Sequence, residues 1–167
     1  IAPGVTPEMA KAMLRRSTTT IAAMMVHRGD ADAMLCGLFG RFEAHFEHVS
    51  DVIGLAPQAR CFATMNAVML PEYTIFVADT FVNENPSAEQ LAEIARLASR
   101  ELRRFGLPPK VAFLSHSMYG SSNRPSAVKM RAARELFAAS TPDVPCDGEL
   151  HGDAALSQAT RERFLMG

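Results

Sequence analysis

The sequence has no tryptophan, only two tyrosines, and three cysteines in 167 residues: Cys36, Cys61 and Cys146. The cysteines are odd in number, far apart and without a Cys-Xaa-Xaa-Cys pair. Neither a disulfide framework nor a zinc site is expected, and a reducing, cytoplasmic setting fits. Charge of one sign is also missing. Lys and Arg total 17 and Asp and Glu total 18, a net charge of −1, which argues against the basic surface of a nucleic-acid binder. No apolar run approaches the ~20 residues of a membrane span. No basic stretch followed by an apolar core marks a secretory leader. The sequence also lacks a Gly-Xaa-Gly-Xaa-Xaa-Gly dinucleotide fingerprint, the Gly-Lys-Ser/Thr of a nucleotide loop and the Gly-Xaa-Ser-Xaa-Gly of a serine hydrolase.

What is present is a globular composition, 48 % apolar and 21 % charged. A chain of this size buries roughly two-thirds of its unfolded surface and needs no staples. It begins at Ile1 and reads as a piece of something longer.

Thr6-Pro7-Glu8 is a helix start, with a cap, a proline at the first position and an acid at the positive end of the dipole. Ala10, Met13, Leu14, Ile21, Met24 and Met25 then form one helical stripe to Val26, weakened by Thr18, Thr19 and Thr20. Residues 31–36 predict a short buried strand that leaves through Gly37 and Gly40. Phe42, Phe46, Val49 and Ile53 share a helix face, stopped by Gly54 and Pro57. Residues 61–70 and 73–79 predict two strands joined by the hairpin turn Pro71-Glu72. The near-continuous apolar run 74–78 predicts a central strand. Ser87 and Gln90 form a capping box for a helix with Leu91, Ile94, Ala98, Leu102 and Phe105 inward. Residues 111–114 are a buried strand. Pro125 opens a helix with Val128, Ala132, Leu136 and Ala139 inward. Residues 141–148 predict a loop, 149–156 a short element and the last residues a helix. Strands alternating with helices define an α/β class with a mixed, mainly parallel sheet.

The polar loop Ser115-His116-Ser117-Met118-Tyr119-Gly120-Ser121-Ser122-Asn123-Arg124 lies between a strand and a helix. Open α/β sheets bind ligands outside the carboxyl ends of their strands. Hydroxyls, a glycine and a helix N-terminus there suit an anion such as phosphate, and Arg124 could add a charged fork. A solvated loop whose serines cap the next helix fits the same residues. Asp147, Glu149 and Asp153 could do acid–base work or hold a cation, or could be turn and cap residues. His45 and His48, one helical turn apart, lack a third ligand, and a solvated polar face accounts for them without a metal.

Together these segments resemble the phosphate acetyltransferase/butyryltransferase family. The resemblance rests on Ser115-Xaa-Ser117, Gly120-Ser121, Lys129-Met130, Asp147-Gly148-Glu149-Leu150 and Asp153-Ala154-Ala155-Leu156. The block Gly29-Asp30-Ala31-Asp32-Ala33-Met34 with Cys36-Gly37 matches a second signature. The resemblance implies a three-layer α/β/α fold, with CoA and acyl phosphate held between two subdomains. Residues 1–167 would form one such subdomain, with the N-terminal subdomain of the same chain and further copies, as a homo-oligomer, for partners.

Leu38-Phe39-Gly40-Arg41-Phe42-Glu43 departs from the His-Thr-Thr and Arg-Pro stretches of active transferases. It is similar to the transferase-like C-terminal region of bacterial NADP-dependent malic enzymes. That likeness implies binding of acetyl-CoA or another acyl-CoA for regulation and assembly without turnover, so no catalytic residue and no metal are expected in this chain. NADP and a divalent metal would belong to a separate malic enzyme module. The ligand-binding residues implied are Ser115, Ser117, Gly120, Ser121, Ser122, Arg124, Cys36, Gly37, Arg41, Asp147 and Glu149. The alternative is a divergent transferase moving an acyl group between CoA and phosphate, a carboxylate accepting the thiol proton.

Overall fold

The structure is a computed structural model that describes residues 4–165. The chain divides into two compact units, residues 1–57 and 58–167.

The first unit is helical. Helix α1 (Pro7–Arg16) starts at Thr6, whose hydroxyl accepts from the Met9 N–H at 3.2 Å. The stripe that predicts one helix from Ala10 to Val26 is divided at Ser17, which adopts extended backbone. Ser17 Oγ accepts from the Thr20 N–H at 3.1 Å and so caps α2 (Thr18–Arg28). Ser17 and three threonines follow one another, and such hydroxyls compete with helical backbone bonding. Gly29, at φ 77°, ends α2.

Residues 31–36, expected as a buried strand, form no strand, and Leu35 is 100 % exposed. Among the described residues the first unit holds no strand to pair with their backbone. Unpaired backbone groups are tolerated only in water. Helix α3 (Phe42–Val52) follows as expected, with the Phe42 and Phe46 rings stacked at 5.8 Å.

In the second unit β1 (Met65–Met69) and β2 (Thr74–Ala78) form the expected antiparallel hairpin, with Met65 opposite Ala78 and Met69 opposite Thr74. β2 is not central: among the described residues it pairs with β1 alone, and Val77 stays exposed. Of the apolar run only the adjacent Ile75 and Phe76 are half-buried, and the strand touches α4. Helix α4 (Ala88–Arg104) carries the expected capping box, with Ser87 and Gln90 bonded reciprocally.

Strand β3 (Val111–Leu114) pairs in parallel with β4 (Cys146–Leu150), and α5 (Pro125–Ser140) is the crossover between them. β4 covers Cys146, Asp147 and Gly148, which the sequence reads as loop because Asp-Gly favours turns. Gly148 has φ 130°, and a Cβ there would lie 2.6 Å from the Phe113 carbonyl oxygen. The residue that suggests a turn is therefore the one that lets two backbones touch.

Helices α4 and α5 pack on each other and, with both strands, enclose Ala92, Ala95, Phe113, Ala133, Phe137 and Val144. The Phe113 and Phe137 rings meet at 5.7 Å. Burying a ring of that size contributes about 1.5–3 kcal/mol. The inward face of α5 is Ala127, Ala133 and Phe137, not Val128, Leu136 and Ala139, which are exposed. On α4 the deepest residues are Ala92, Ile94, Ala95 and Ser99, while Phe105 is 69 % exposed. Alanines on the facing sides allow the two helices to approach closely, and this rotates the larger residues outward. Short α6 (Gly152–Leu156) and α7 (Gln158–Leu165) complete the unit, and Met118, Leu150 and Ala154 form a second cluster beneath the 115–124 loop. Among the described residues no helix is long and apolar enough to cross a membrane.

Candidate functional site

The 115–124 loop leaves the carboxyl end of β3 and enters α5. Its form is set from within by one side chain of the neighbouring strand, Glu149. This carboxylate is fully buried. Its Oε1 accepts from the Ser117 hydroxyl at 2.6 Å, the Gly120 N–H at 2.9 Å and Arg131 Nη1 at 2.8 Å. Ser117 Oγ accepts from the Ser122 N–H at 3.0 Å and lies 3.2 Å from Ser121 Oγ, which accepts from the Met118 N–H at 3.0 Å. Arg131 also donates to the Ser122 carbonyl at 3.0 Å. The Ser115 N–H continues the pairing past β3 to the Leu150 carbonyl, and the loop folds back so that the Tyr119 N–H meets the Glu149 carbonyl, each at 2.9 Å.

The electrostatics follow from these contacts. Burial alone would raise the Glu149 carboxyl. The bonds from Ser117, Gly120 and Arg131 outweigh it and hold the group below the ordinary glutamate value. Glu149 is therefore an ionised acid at neutral pH, and among the described residues its Oε2 has no hydrogen-bond partner. Tyr119 has the only positive φ of a non-glycine residue among those described, 45°, and donates its hydroxyl to Asp147 Oδ2 at 2.8 Å. Burial, then that bond, raises the phenol above its usual range. Arg161 of α7 lies 3.9 Å from the same Asp147 oxygen.

The residues expected at a ligand site are not all brought together; Asp147 is the acceptor of the Tyr119 hydroxyl. Ser117, Ser121, Ser122, Gly120 and Glu149 are brought together, but Ser117 and Glu149 face inward, and the Ser117 hydroxyl and Glu149 Oε1 are spent on bonds that hold the loop. Ser115 accepts from the Ser117 N–H at 3.2 Å. Arg124 is the N-cap residue of α5 with no side-chain cap bond, and its exposed guanidinium makes no ion pair among the described residues. Cys36, Gly37 and Arg41 belong to the first unit and are exposed there.

The sequence reading missed Arg131. A buried acid demands a cation, but nothing in the spacing says which arginine of α5 supplies it. It also missed Asp79 at the end of β2. Asp79 Oδ1 accepts from the N–H and hydroxyl of Thr64 at 3.0 and 2.6 Å, and Oδ2 from the N–H and side chain of Asn83 at 2.8 and 2.5 Å. Burial raises its carboxyl, but these four donors prevail and lower it to about 2. His45, read as part of a solvated face, is half-buried in the first unit. Its Nδ1 lies 2.8 Å from Thr19 Oγ1 and its Nε2 2.6 Å from the Phe39 carbonyl. Burial raises the Cys61 and Cys146 thiols, so neither is a poised thiolate.

The 115–124 loop lies outside the carboxyl end of a strand that is paired in parallel, the position at which open α/β sheets bind their ligands. The family model "Phosphate acetyl/butaryl transferase" matches residues 2–166, and the chain belongs to that family. It is 49 % identical over 158 residues to the NADP-dependent malic enzyme of Escherichia coli (strain K12), covering 95 % of this chain and 21 % of that protein. It is 32 % identical to the phosphate acetyltransferase of Nitratidesulfovibrio vulgaris, covering 98 % of this chain and 23 % of that enzyme. A phosphotransacetylase from Streptococcus pyogenes superposes with a TM-score of 0.83 at 32 % identity, over 94 % of this chain and 48 % of that one. The chain thus spans about a fifth of the curated relatives it matches. It is a phosphotransacetylase-like domain related to malic enzymes and to phosphate acetyltransferases.

Proposed function

We propose that this domain binds acetyl-CoA or a related acyl-CoA as the regulatory and assembly part of a malic enzyme, without turning the ligand over. The reading rests on the 115–124 loop. Its inner face is internally bonded, and its outer edge carries Arg124, free of ion pairs among the described residues, at an uncapped helix start. The positive end of a helix and a guanidinium together favour a phosphate-bearing ligand. The absence of turnover follows from the stretch 38–43, which lacks the His-Thr-Thr and Arg-Pro of active transferases. Higher identity to the Escherichia coli malic enzyme than to the Nitratidesulfovibrio vulgaris transferase supports the same choice. On this reading a separate module of the full-length protein, with a nicotinamide cofactor and a divalent metal, decarboxylates malate oxidatively to pyruvate. The protein is then a cytoplasmic homo-oligomer.

The second reading is an acyl transferase between CoA and phosphate. It is favoured by near-complete coverage of this chain by the Nitratidesulfovibrio vulgaris enzyme. Calorimetry with acetyl-CoA, beside a CoA plus acetyl phosphate turnover assay on the full-length protein, separates the two. Binding without turnover supports regulation, turnover supports the transferase, and neither removes the ligand from both.

A further inference from the structure

We propose that Glu149 is a positioning residue. From beneath, it holds the 117–122 segment in the one geometry that presents the loop's outer edge to a phosphate-bearing ligand, and it touches no ligand itself. The part concerning affinity rests on the acyl-CoA reading above. The part concerning loop geometry does not.

Glu149 is sealed at 0 % exposure, so a ligand on the outer edge cannot reach it without the loop opening. All three of its bonds go to one oxygen, and each comes from a different part of the structure. Ser117 comes from the start of the loop, Gly120 from its tip, and Arg131 from α5. The bonds then branch: Ser117 Oγ fixes the Ser122 N–H, and Arg131 fixes the Ser122 carbonyl. Both backbone groups of Ser122, two residues before Arg124, are thus set by partners that meet at Glu149 Oε1. Oε2 is unpartnered among the described residues, so the carboxylate has no second set of donors to hold the loop if Oε1 loses its own. A charge-assisted bond is stronger than a neutral one, so an ionised carboxylate positions these donors more firmly than a carboxamide of the same shape.

The test uses the full-length protein and its Glu149→Gln, Glu149→Ala, Arg131→Gln and Glu149→Gln/Arg131→Gln variants. It reads amide hydrogen exchange over residues 117–122 without ligand, the melting temperature, and acetyl-CoA affinity by calorimetry. Glu149→Gln is expected to speed exchange at Gly120 and Ser122 roughly tenfold and Glu149→Ala up to about 100-fold, the range of a lost charged hydrogen bond. Acetyl-CoA affinity is expected to fall by roughly the same factors. Replacing both members of a buried pair removes the stranded charge, so the double variant should regain the melting temperature while exchange stays fast and binding weak. If the double variant regains all three together, Glu149 is only half of a stabilising ion pair and the proposal fails. Unchanged exchange in Glu149→Gln overturns it as well. If the unaltered protein binds no acetyl-CoA, the ligand reading fails, and exchange in the ligand-free protein still decides whether Glu149 sets the loop.

Discussion

Two carboxylates each gather a loop in this domain, by opposite means. Asp79, at the end of β2, is half-buried and takes four neutral donors, two on each oxygen, from Thr64 and Asn83. Glu149, in β4, is sealed and takes three donors on one oxygen, one of them the cation of Arg131. Asp79 shares its charge evenly among neutral dipoles, and losing one donor leaves three. Glu149 concentrates it, so one substitution strands a buried charge. The first arrangement tolerates change. The second specifies a single geometry and is vulnerable to change.

The largest effect should come from breaking the concentrated arrangement. Arg131→Gln leaves the sealed Glu149 carboxylate without its cation, and stranding a buried charge in this way costs about 3–5 kcal/mol. Urea unfolding of the variant measures it, and a cost of no more than about 2 kcal/mol would place Glu149 in the same class as Asp79. Gly148→Ala attacks the strand that carries Glu149. The new Cβ meets the Phe113 carbonyl at 2.6 Å, at a φ that side chains rarely adopt. Strain and crowding together should cost about 2–4 kcal/mol, read as a lowered urea midpoint.

Asp79 offers the milder contrast. Its carboxyl is lowered to about 2 from 3.8, so the folded state binds the proton less readily than the unfolded chain. The stabilisation is complete above about pH 4 and is lost as pH falls through about 2. Partial exposure limits it to about 1–2 kcal/mol. Asp79→Asn should lower stability by that amount at neutral pH and by progressively less toward pH 2, in unfolding curves taken across the acid range. Ser87→Ala, away from both carboxylates, removes one half of a capping box and should cost only about 1 kcal/mol, read as a small shift in thermal midpoint.

What could be read from the sequence was local. The Ser87–Gln90 box, the Pro71-Glu72 hairpin and the Pro125 helix start each depend on neighbours a few residues away, and each is in place. The family itself was legible in the serine loop and the Asp-Gly-Glu-Leu block, and the matched model bears it out. What could not be read depends on distant partners. Cys146 to Gly148 form a strand only because Phe113 lies beside them. Val128 and Leu136 face outward because α4 presents alanines to α5. The 31–36 segment has strand-like residues and, among the described residues of the first unit, no strand to join. For the candidate site the serines were visible, but their orientation was not, because Arg131 and Glu149 are 18 residues apart in the chain.

The first unit contains a reporter of its own fold. His45 Nε2 faces the Phe39 carbonyl, which can only accept, so that nitrogen carries the proton and the neutral ring has one tautomer. Thr19, on a different helix, holds the other nitrogen. The imidazole nitrogen resonances of this single side chain, read with isotope labelling, therefore register whether α2, α3 and the 37–40 turn are assembled.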